Sequence, residues 1–256
     1  MMRIGMRTAF LLAGWLVLLN LHYAQAQNTV TIVNAASFRS EQPVTAGSWV
    51  SGFGVFANVG EVFNTQLPLP KALGGVTVTV NGVEAPLNYV SGLQINFVIP
   101  YGTQPGIHPV VVNGPGGTNN STVRVINAAP GIFTIDAATP PQGAVLNQDN
   151  SLNGENRPAI RGQVIQIFAT GHGALNQQIE DGDPAPVPAA ETVVSPKVFI
   201  GGVECVVEFS GLAPEFAALW QINARIPQLA FLSGRLPVQV FMNGVDSNEV
   251  SIYVAQ

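Results

Sequence analysis

The sequence predicts an all-β chain that folds as two tandem β-sandwiches after an N-terminal signal peptide. Short runs rich in Val, Ile, Thr and Phe alternate with Gly, Pro and Asn along the chain, as strands and turns do. The motif Gln-Ile-Asn-x-x-Ile-Pro occurs twice, at residues 94–100 and 221–227, which indicates an internal repeat. Charged residues make up only 10% of the chain, against roughly 25% in ordinary domains, so uncharged side chains supply most of the polar surface.

The first 26 residues have the three parts of a secretory signal peptide. Arg3 and Arg7 form a basic start, residues 9–19 form an apolar run, and Ala24-Gln25-Ala26 places small residues at the two positions that a signal peptidase reads. The apolar run is short for a membrane span, and no later stretch is long and apolar enough to cross a bilayer. We therefore expect a secreted chain, periplasmic or extracellular, that begins at Gln27.

Net charge limits the partners that the chain can bind, and cysteine content limits the disulfide bonds that it can form. Loss of Arg3 and Arg7 with the signal peptide takes the formal net charge from −5 to about −7. Because the chain is acidic and has no Lys/Arg cluster, nucleic acid is a poor partner. The single cysteine, Cys205, cannot form an intramolecular disulfide, and we expect it to be a free, buried strand residue.

The repeat extends well beyond the Gln-Ile-Asn motif. Asn81-Gly82 and Gly201-Gly202 each separate two β-branched runs, and such dipeptides accept the positive φ angles of a tight hairpin turn. This alignment pairs Cys205 with Ala85, which supports a small buried residue there. We therefore predict a signal peptide at 1–26, a first domain at 27–129 and a second domain at 130–256.

Each copy contains about seven predicted strands. They lie at 29–34, 47–56, 76–81, 84–90, 93–99, 108–113 and 121–127 in the first copy, and at 144–147, 162–170, 197–201, 204–209, 219–226, 236–242 and 248–255 in the second. Alternation of apolar and polar residues is clear at 76–80 and 251–254, as half-buried strands require. Only residues 213–220 could form a helical turn or two. About seven strands in ~100 residues fit an immunoglobulin-like sandwich.

Residues 127–133, "NAAPGIF", form the linker between the two copies. Pro130 fixes one backbone angle and Gly131 permits an unusual one, so the chain turns out of the last strand of the first copy. Ile132 and Phe133 are too apolar for a flexible tether. We expect them to pack at the junction and to hold the two domains at a preferred angle.

A series of motifs, in this order, resembles the Solibacter uncharacterised C-terminal domain family, and the resemblance covers almost the whole mature chain. The motifs are "VNAASF", "LGGVTVTVNGVEAPLNYVSGLQINFVIPYGTQPG", "AAPGIF", "ALNQDNSLN", "FATGHGALN" and "GLAPEF…LWQINARIP". The resemblance implies paired immunoglobulin-like modules, similar to the IPT/TIG type, which tend to end large exported acidobacterial proteins. The activity of the family is uncharacterised, so the resemblance implies no catalytic residue.

Few residues suggest catalytic or metal chemistry. His172 lies in a Gly-rich turn and could be a ligand or a base, but no second His or Cys stands nearby at metal spacing. Neither a G-x-S-x-G elbow nor a phosphate-binding loop occurs. Asp149 begins a stretch that mimics the first half of a calcium loop, but its twelfth position is Ile160 where a bidentate Glu is needed. A plain turn is the favoured interpretation.

Two long connections, residues 57–75 and 171–195, follow the second strand of each copy. Loops of this length are often functional or mobile, and both should leave the same end of their own sandwich. The second is the candidate ligand loop and the more mobile one. Its candidate ligand residues are His172, Gln177, Asp181 and Asp183, of which Asp181 and Asp183, like Asp149, are also weak metal candidates. The alternative is a solvated connection without a ligand, in which carboxylates keep ordinary pKa values.

These features favour an exported, non-enzymatic interaction or structural module at the cell surface or outside the cell. No cofactor is expected, and the candidate partners are an extracellular protein or a polysaccharide. A carbohydrate-binding module is the alternative, which would need an exposed row of aromatic side chains. The candidates for that row are Trp49, Trp220, Tyr89 and Tyr101. A hydrolase ranks third, because no catalytic constellation is evident.

Overall fold

The computed structural model describes residues 29–40 and 42–255, and within these ranges every regular element is a β-strand. The predicted all-β, immunoglobulin-like sandwich architecture is confirmed. The predicted signal peptide lies outside the described residues, and the predicted domain boundaries stay predictions. No helix in the described ranges is long and apolar enough to span a bilayer.

The strands follow the predicted runs closely, with additional short strands between them. In the first copy they are β1 (Thr31–Asn34), β2 (Trp49–Phe53), β3 (Val62–Phe63), β4 (Ala72–Leu73), β5 (Val76–Val80), β6 (Val83–Glu84), β7 (Leu87–Val90), β8 (Gln94–Val98), β9 (Gly106–Gly114) and β10 (Gly117–Val125). In the second they are β11 (Gly131–Ile132), β12 (Val145–Leu146), β13 (Ala159–Ile160), β14 (Val164–Thr170), β15 (Lys197–Ile200), β16 (Val203–Leu212), β17 (Trp220–Arg225), β18 (Gly234–Met242), β19 (Val245–Asp246) and β20 (Val250–Ala255).

Each copy buries its own hydrophobic core. The first copy has two sheets, of order β1-β2-β8-β7-β3 and β10-β9-β5-β4, with β6 beside β5. Its core includes Val50, Val78, Leu87, Ile95, Phe97 and Val110. The core of the second copy includes Ile132, Ile167, Ile200, Trp220, Ile222, Val240 and Ile252. Burial of these apolar side chains is the main favourable term in folding.

The repeated Gln-Ile-Asn motif forms an interior strand of each sandwich. β8 lies between β2 and β7, and β17 lies between β14 and β16. Ile95 and Ile222 are fully buried at matching positions. On the opposite face, the Gln94 side-chain amide donates to Asn96 Oδ1 at 2.8 Å, and Gln221 and Asn223 repeat this pair at 2.9 Å. The motif therefore encodes an inner strand with a buried Ile and an amide pair on its outer face.

The two copies differ at one proline. Pro86 separates β6 from β7, because proline has no N–H to donate to a sheet ladder. The aligned residue in the second copy is Val206, and there the strand runs without a break as β16. The first residues of β16 pair with β15 and the later ones with β17, so one strand connects the two sheets. The break between β6 and β7 thus coincides with Pro86, and the unbroken β16 has Val206 at that position.

Cys205 is buried in the core of the second copy, as expected, with 6% of its surface exposed. It lies opposite Val198 in β15, and its counterpart Ala85 is also buried in the first core. Burial raises the pKa of the Cys205 thiol to about 11. The reactive thiolate is therefore scarce near neutral pH.

Two local expectations were not met. No helix forms at 213–220: residues 213–219 form turns and Trp220 begins β17, because Glu215 and Ala218 adopt positive φ angles of 67° and 54°, which lie outside the right-handed helical region. In the linker, Ile132 packs into the core of the second copy instead of at the junction, since residues 131–132 pair with β14. The linker is held by its backbone, as the next subsection describes.

Candidate functional site at the junction of the two copies

The connection 171–195, here called the strap, packs across both copies. Ile179, Ala185 and Ala190 are buried in a small apolar cluster with Tyr101 of the first copy. Within the second copy, bridges join Leu175 to Thr192, Ala185 to Pro214 and Glu191 to Gly211. The alternative of a solvated connection is therefore wrong for the middle of the strap, whereas its expected mobility stays a prediction. Small apolar residues between the prolines form the buried face of the strap. Such residues give little indication in the sequence that the segment is packed against other parts of the protein.

Among the described residues, five hydrogen bonds of ordinary length join residues 27–129 to residues 130–256, and four of them lie outside the linker. The Trp49 backbone N–H donates to Thr170 Oγ1 at 2.8 Å, and its indole N–H donates to the Ala217 carbonyl at 3.1 Å. The Leu69 N–H donates to the Gly182 carbonyl at 2.8 Å. The Tyr101 N–H donates to Asp181 Oδ1, also at 2.8 Å. Both long connections thus meet at the junction, since Leu69 belongs to 57–75 and Gly182 belongs to the strap.

The first residues of the strap lie directly on the linker. The Ala129 N–H donates to the Gly171 carbonyl at 3.1 Å, and a Cβ at Gly171 would overlap the Ala129 carbonyl. Gly171 and Gly173 have φ angles of 89° and 74°, which favour glycine. From the other side, the Asn34 side-chain amide donates to the Ala129 carbonyl at 3.0 Å. The linker is therefore held between the first copy and the strap.

His172, between these two glycines, has no exposed surface. Its ring stacks on Tyr101 of the first copy, with centroids 6.1 Å apart, and meets Trp220 of the second copy edge-on at 6.4 Å. Nδ1 lies 2.7 Å from the Gly173 carbonyl, whereas Nε2 has no hydrogen-bond partner among the described residues. Burial lowers the pKa of His172 to about 4, although the Gly173 and Gly47 carbonyls oppose the shift. The ring is therefore neutral at pH 7.

Tyr101 is the aromatic side chain that links the parts of the junction. It follows the Gln-Ile-Asn strand of the first copy, and it contacts the strap cluster, His172 and Asp181. Its hydroxyl is buried and has no partner among the described residues. Burial, and secondarily the Asp181 carboxylate, raises the pKa of Tyr101 above its ordinary value. Tyr101 and His172 are the only described residues with such unpartnered buried side-chain atoms.

An open groove of about 610 Å³ lies beside Tyr101. Its walls come from the first copy, the linker, the strap and the turn after β18. The lining residues are Thr45, Ala46, Tyr101, Gly102, Thr103, Pro105, Ile126, Asn127, Gly173, Ala174, Leu175, Gln177, Gln178, Ile179, Val193, Val194, Met242 and Asn243. None of them carries a charge at pH 7. The groove is therefore a neutral surface with hydroxyl, amide and apolar groups.

The four candidate ligand residues are separated by the fold. His172 lies beneath the surface, so it does not reach solvent. Gln177 lines the groove, and its amide nitrogen lies 3.2 Å from the Pro188 carbonyl, so this contact joins two parts of the strap. Asp181 accepts the Tyr101 N–H, so one of its oxygens is already used within the junction. Asp183 belongs to a turn in which its N–H donates to the Glu180 carbonyl.

The weak metal candidates do not come together. Within the described part of the chain, no group of three or more His, Cys, Asp and Glu side chains is placed to hold a metal ion. Asp149 accepts the Ser151 N–H at 3.0 Å and the Ser151 hydroxyl at 2.6 Å. These hydrogen bonds lower the pKa of Asp149 and form an Asx turn, which matches the favoured interpretation of a plain turn.

The aromatic candidates do not form an exposed row among the described residues. Trp220 is fully buried and donates its indole N–H to Ser210 Oγ at 3.0 Å. Trp49 is partly buried against Ala217 and Ala218. Tyr89 donates its hydroxyl to Glu61 at 3.0 Å, and Tyr101 is occupied with His172. The aromatic route to glycan binding is therefore not supported by this structure.

Sequence reasoning missed most of the groove. Thr103, Asn127, Gln178 and Asn243 come from four separate segments, and each is an ordinary loop residue in its local context. The sequence contained one indication that Tyr101 is special. It directly follows the Gln-Ile-Asn motif, at a position where the second copy has Gln228. A difference between otherwise matching copies marks a surface that only one copy uses.

No family model matches the chain, and no curated protein matches it. The resemblance to the Solibacter family therefore stays a prediction. Among solved structures, SGBP-B of the Bacteroides ovatus mixed-linkage glucan utilization locus, in complex with a mixed-linkage heptasaccharide, is similar at 14% identity and a TM-score of 0.33. The alignment covers 83% of this chain and 43% of that protein.

Two further similar structures consist of extracellular or tandem immunoglobulin-type domains. The full extracellular region of plexin A4 matches at 13% identity with a TM-score of 0.30, over 91% of this chain and 19% of plexin. The titin immunoglobulin tandem A164-A165 matches at 10% identity with a TM-score of 0.23, over 88% and 96% of the two chains. At these values the likenesses carry no argument about function.

We expect Gly171→Ala to destabilise the protein much more than Gly202→Ala. Both glycines have a φ angle near 80–90°, but a Cβ at Gly202 meets no atom within 4 Å. Gly202→Ala should therefore cost only the backbone strain of roughly 1–2 kcal/mol, whereas Gly171→Ala should add roughly 1–3 kcal/mol for overpacking. Urea unfolding of both variants measures the difference, and equal losses of stability would refute close packing of strap and linker.

We also expect His172 to make folding stability fall on acidification. Its pKa is about 4 in the folded state and near 6.5 when unfolded, so below pH 6.5 the unfolded chain binds a proton that the folded chain does not. The free energy of unfolding should fall by roughly 3 kcal/mol between pH 7 and pH 4 through this group.

His172→Phe should remove this part of the pH dependence, whatever its effect on stability at pH 7. His108→Gln is the control, because solvent reaches the His108 ring. Urea unfolding at several pH values gives the slopes, and the same slope in wild type and His172→Phe would contradict the buried neutral imidazole.

Proposed function

We propose that the chain is an exported, non-catalytic binding module that acts at the cell surface or outside the cell. The observation that carries this proposal is the groove at the junction, whose walls come from both copies, the linker and the strap. Such a groove keeps its shape only while the two sandwiches stay in one arrangement. The hydrogen bonds from Trp49, Leu69 and Tyr101 to the second copy support that arrangement.

The geometry of the polar groups supports binding in preference to catalysis. A general base must approach a proton of the substrate within hydrogen-bond reach. His172 is enclosed by Tyr101 and Trp220, so its ring does not reach the groove surface. The groove itself is lined by neutral side chains, which can hold a ligand through hydrogen bonds and apolar contacts but supply no strong acid or base.

A direct test uses protein purified after export from its host. We expect an intact mass that begins at Gln27, and no turnover of ester, glycoside, phosphoester or peptide substrates. His172→Phe and Asp183→Asn serve as matched variants in every assay. Turnover that either variant abolishes would overturn the non-catalytic role, and a mass that retains residues 1–26 would contradict release by a signal peptidase.

A further inference from the structure

The junction groove has the composition of a site for an uncharged, hydroxyl-rich ligand. Its lining includes the polar side chains of Thr103, Asn127, Gln178 and Asn243. Each amide offers both a donor and an acceptor, and a threonine hydroxyl does the same. These groups match ligand hydroxyls, which also donate and accept.

Tyr101, which lines the groove, also has a buried hydroxyl. This hydroxyl has no partner among the described residues. Burying a polar group without a hydrogen bond costs roughly 1–3 kcal/mol in proteins. Such groups are rare in native structures, so the wall of the groove contains an unsatisfied polar group beneath its surface.

The lining of the groove is uncharged, and this limits the classes of ligand that it suits. No lining residue is ionised at pH 7, and the whole chain has a formal net charge of −5. An anionic polymer would therefore lose solvation in the groove without gaining a cationic partner. This argues against nucleic acid and against acidic polysaccharides.

The walls of the groove also argue against an extended peptide. Peptides commonly bind by adding a strand to an exposed sheet edge. Of the lining residues, only Met242 belongs to a strand, and the others come from loops and turns. Apolar side chains such as Ile126, Leu175 and Val193 instead offer contacts for the C–H faces of sugar rings. The volume, about 610 Å³, is in the roughly 300–1,000 Å³ range of ligand-binding clefts.

We propose that the junction groove binds an uncharged polysaccharide chain. This inference rests on the proposed binding function and names the ligand class for the same site. It does not depend on an exposed aromatic row, because side-chain amides, the Thr103 hydroxyl and apolar side chains in the lining offer the contacts. The linker residue Asn127 and the strap residue Gln178 line the groove from different walls, so the site exists only when both copies are joined.

The test uses Ala174→Trp, which fills the groove from an exposed position of the strap without removing a side-chain hydrogen bond. Ala72→Trp is the matched control, since Ala72 is also exposed but lies in β4, away from the groove. The probes are soluble starch, galactomannan and β-glucan as neutral polysaccharides, with polygalacturonate and alginate as acidic ones. Affinity electrophoresis measures retardation, and titration calorimetry measures the dissociation constant.

We expect at least one neutral polysaccharide to bind wild type and Ala72→Trp, and Ala174→Trp to weaken that binding at least tenfold. If Ala174→Trp does not fold, the pair Gln178→Ala and Asn243→Gly removes two groove amides and should weaken binding as well. Absence of binding to all neutral probes, equal binding by Ala174→Trp, or preference for the acidic probes would overturn the inference.

Two further readouts separate failure of this inference from failure of the proposed function. An uncharged peptide from a random library that binds wild type but not Ala174→Trp would contradict a polysaccharide as the ligand class. It would still support the proposed binding function. Release of reducing ends from a bound polysaccharide would instead contradict the non-catalytic role. Binding without cleavage supports both.

Discussion

The backbone contact between strap and linker is the constraint on which the rest of the junction depends. Gly171 and Gly173 let the strap lie so close to residues 127–130 that a side chain has no room. This contact places His172 between Tyr101 and Trp220, and it starts the strap in the direction that brings Asp181 to the Tyr101 N–H. Interiors are close-packed, so such a contact resists gradual shifts and favours one arrangement of the copies.

The junction buries polar groups that lower folding stability, and its packing offsets this loss. His172 Nε2 and the Tyr101 hydroxyl are buried without partners among the described residues, and each lowers stability. The apolar clusters around Leu69 and Ile179, and the hydrogen bonds of Trp49, act in the opposite direction.

Most of the fold could be predicted from the sequence, and most of the site could not. Strand positions, the two inner strands and the burial of Cys205 follow from residue periodicity and from comparison of the copies. The turns at 213–219 were missed because the sequence does not reveal the positive φ angles of Glu215 and Ala218. The packing of the strap was missed because its partner, Tyr101, lies about 80 residues away in the chain. Gln177 was the one candidate ligand residue that lines the groove.

The central claim is that the two sandwiches form one unit with a fixed arrangement. Spin labels at Thr122→Cys in β10 and Val206→Cys in β16, with Cys205→Ala to remove the native thiol, report the distance between the copies. Both positions are exposed strand residues, and Ala85 shows that alanine fits the Cys205 position. Pulsed dipolar spectroscopy should give one narrow distance distribution that Gly171→Ala broadens. A broad distribution in the protein with the native Gly171 would contradict the fixed junction and the groove that depends on it.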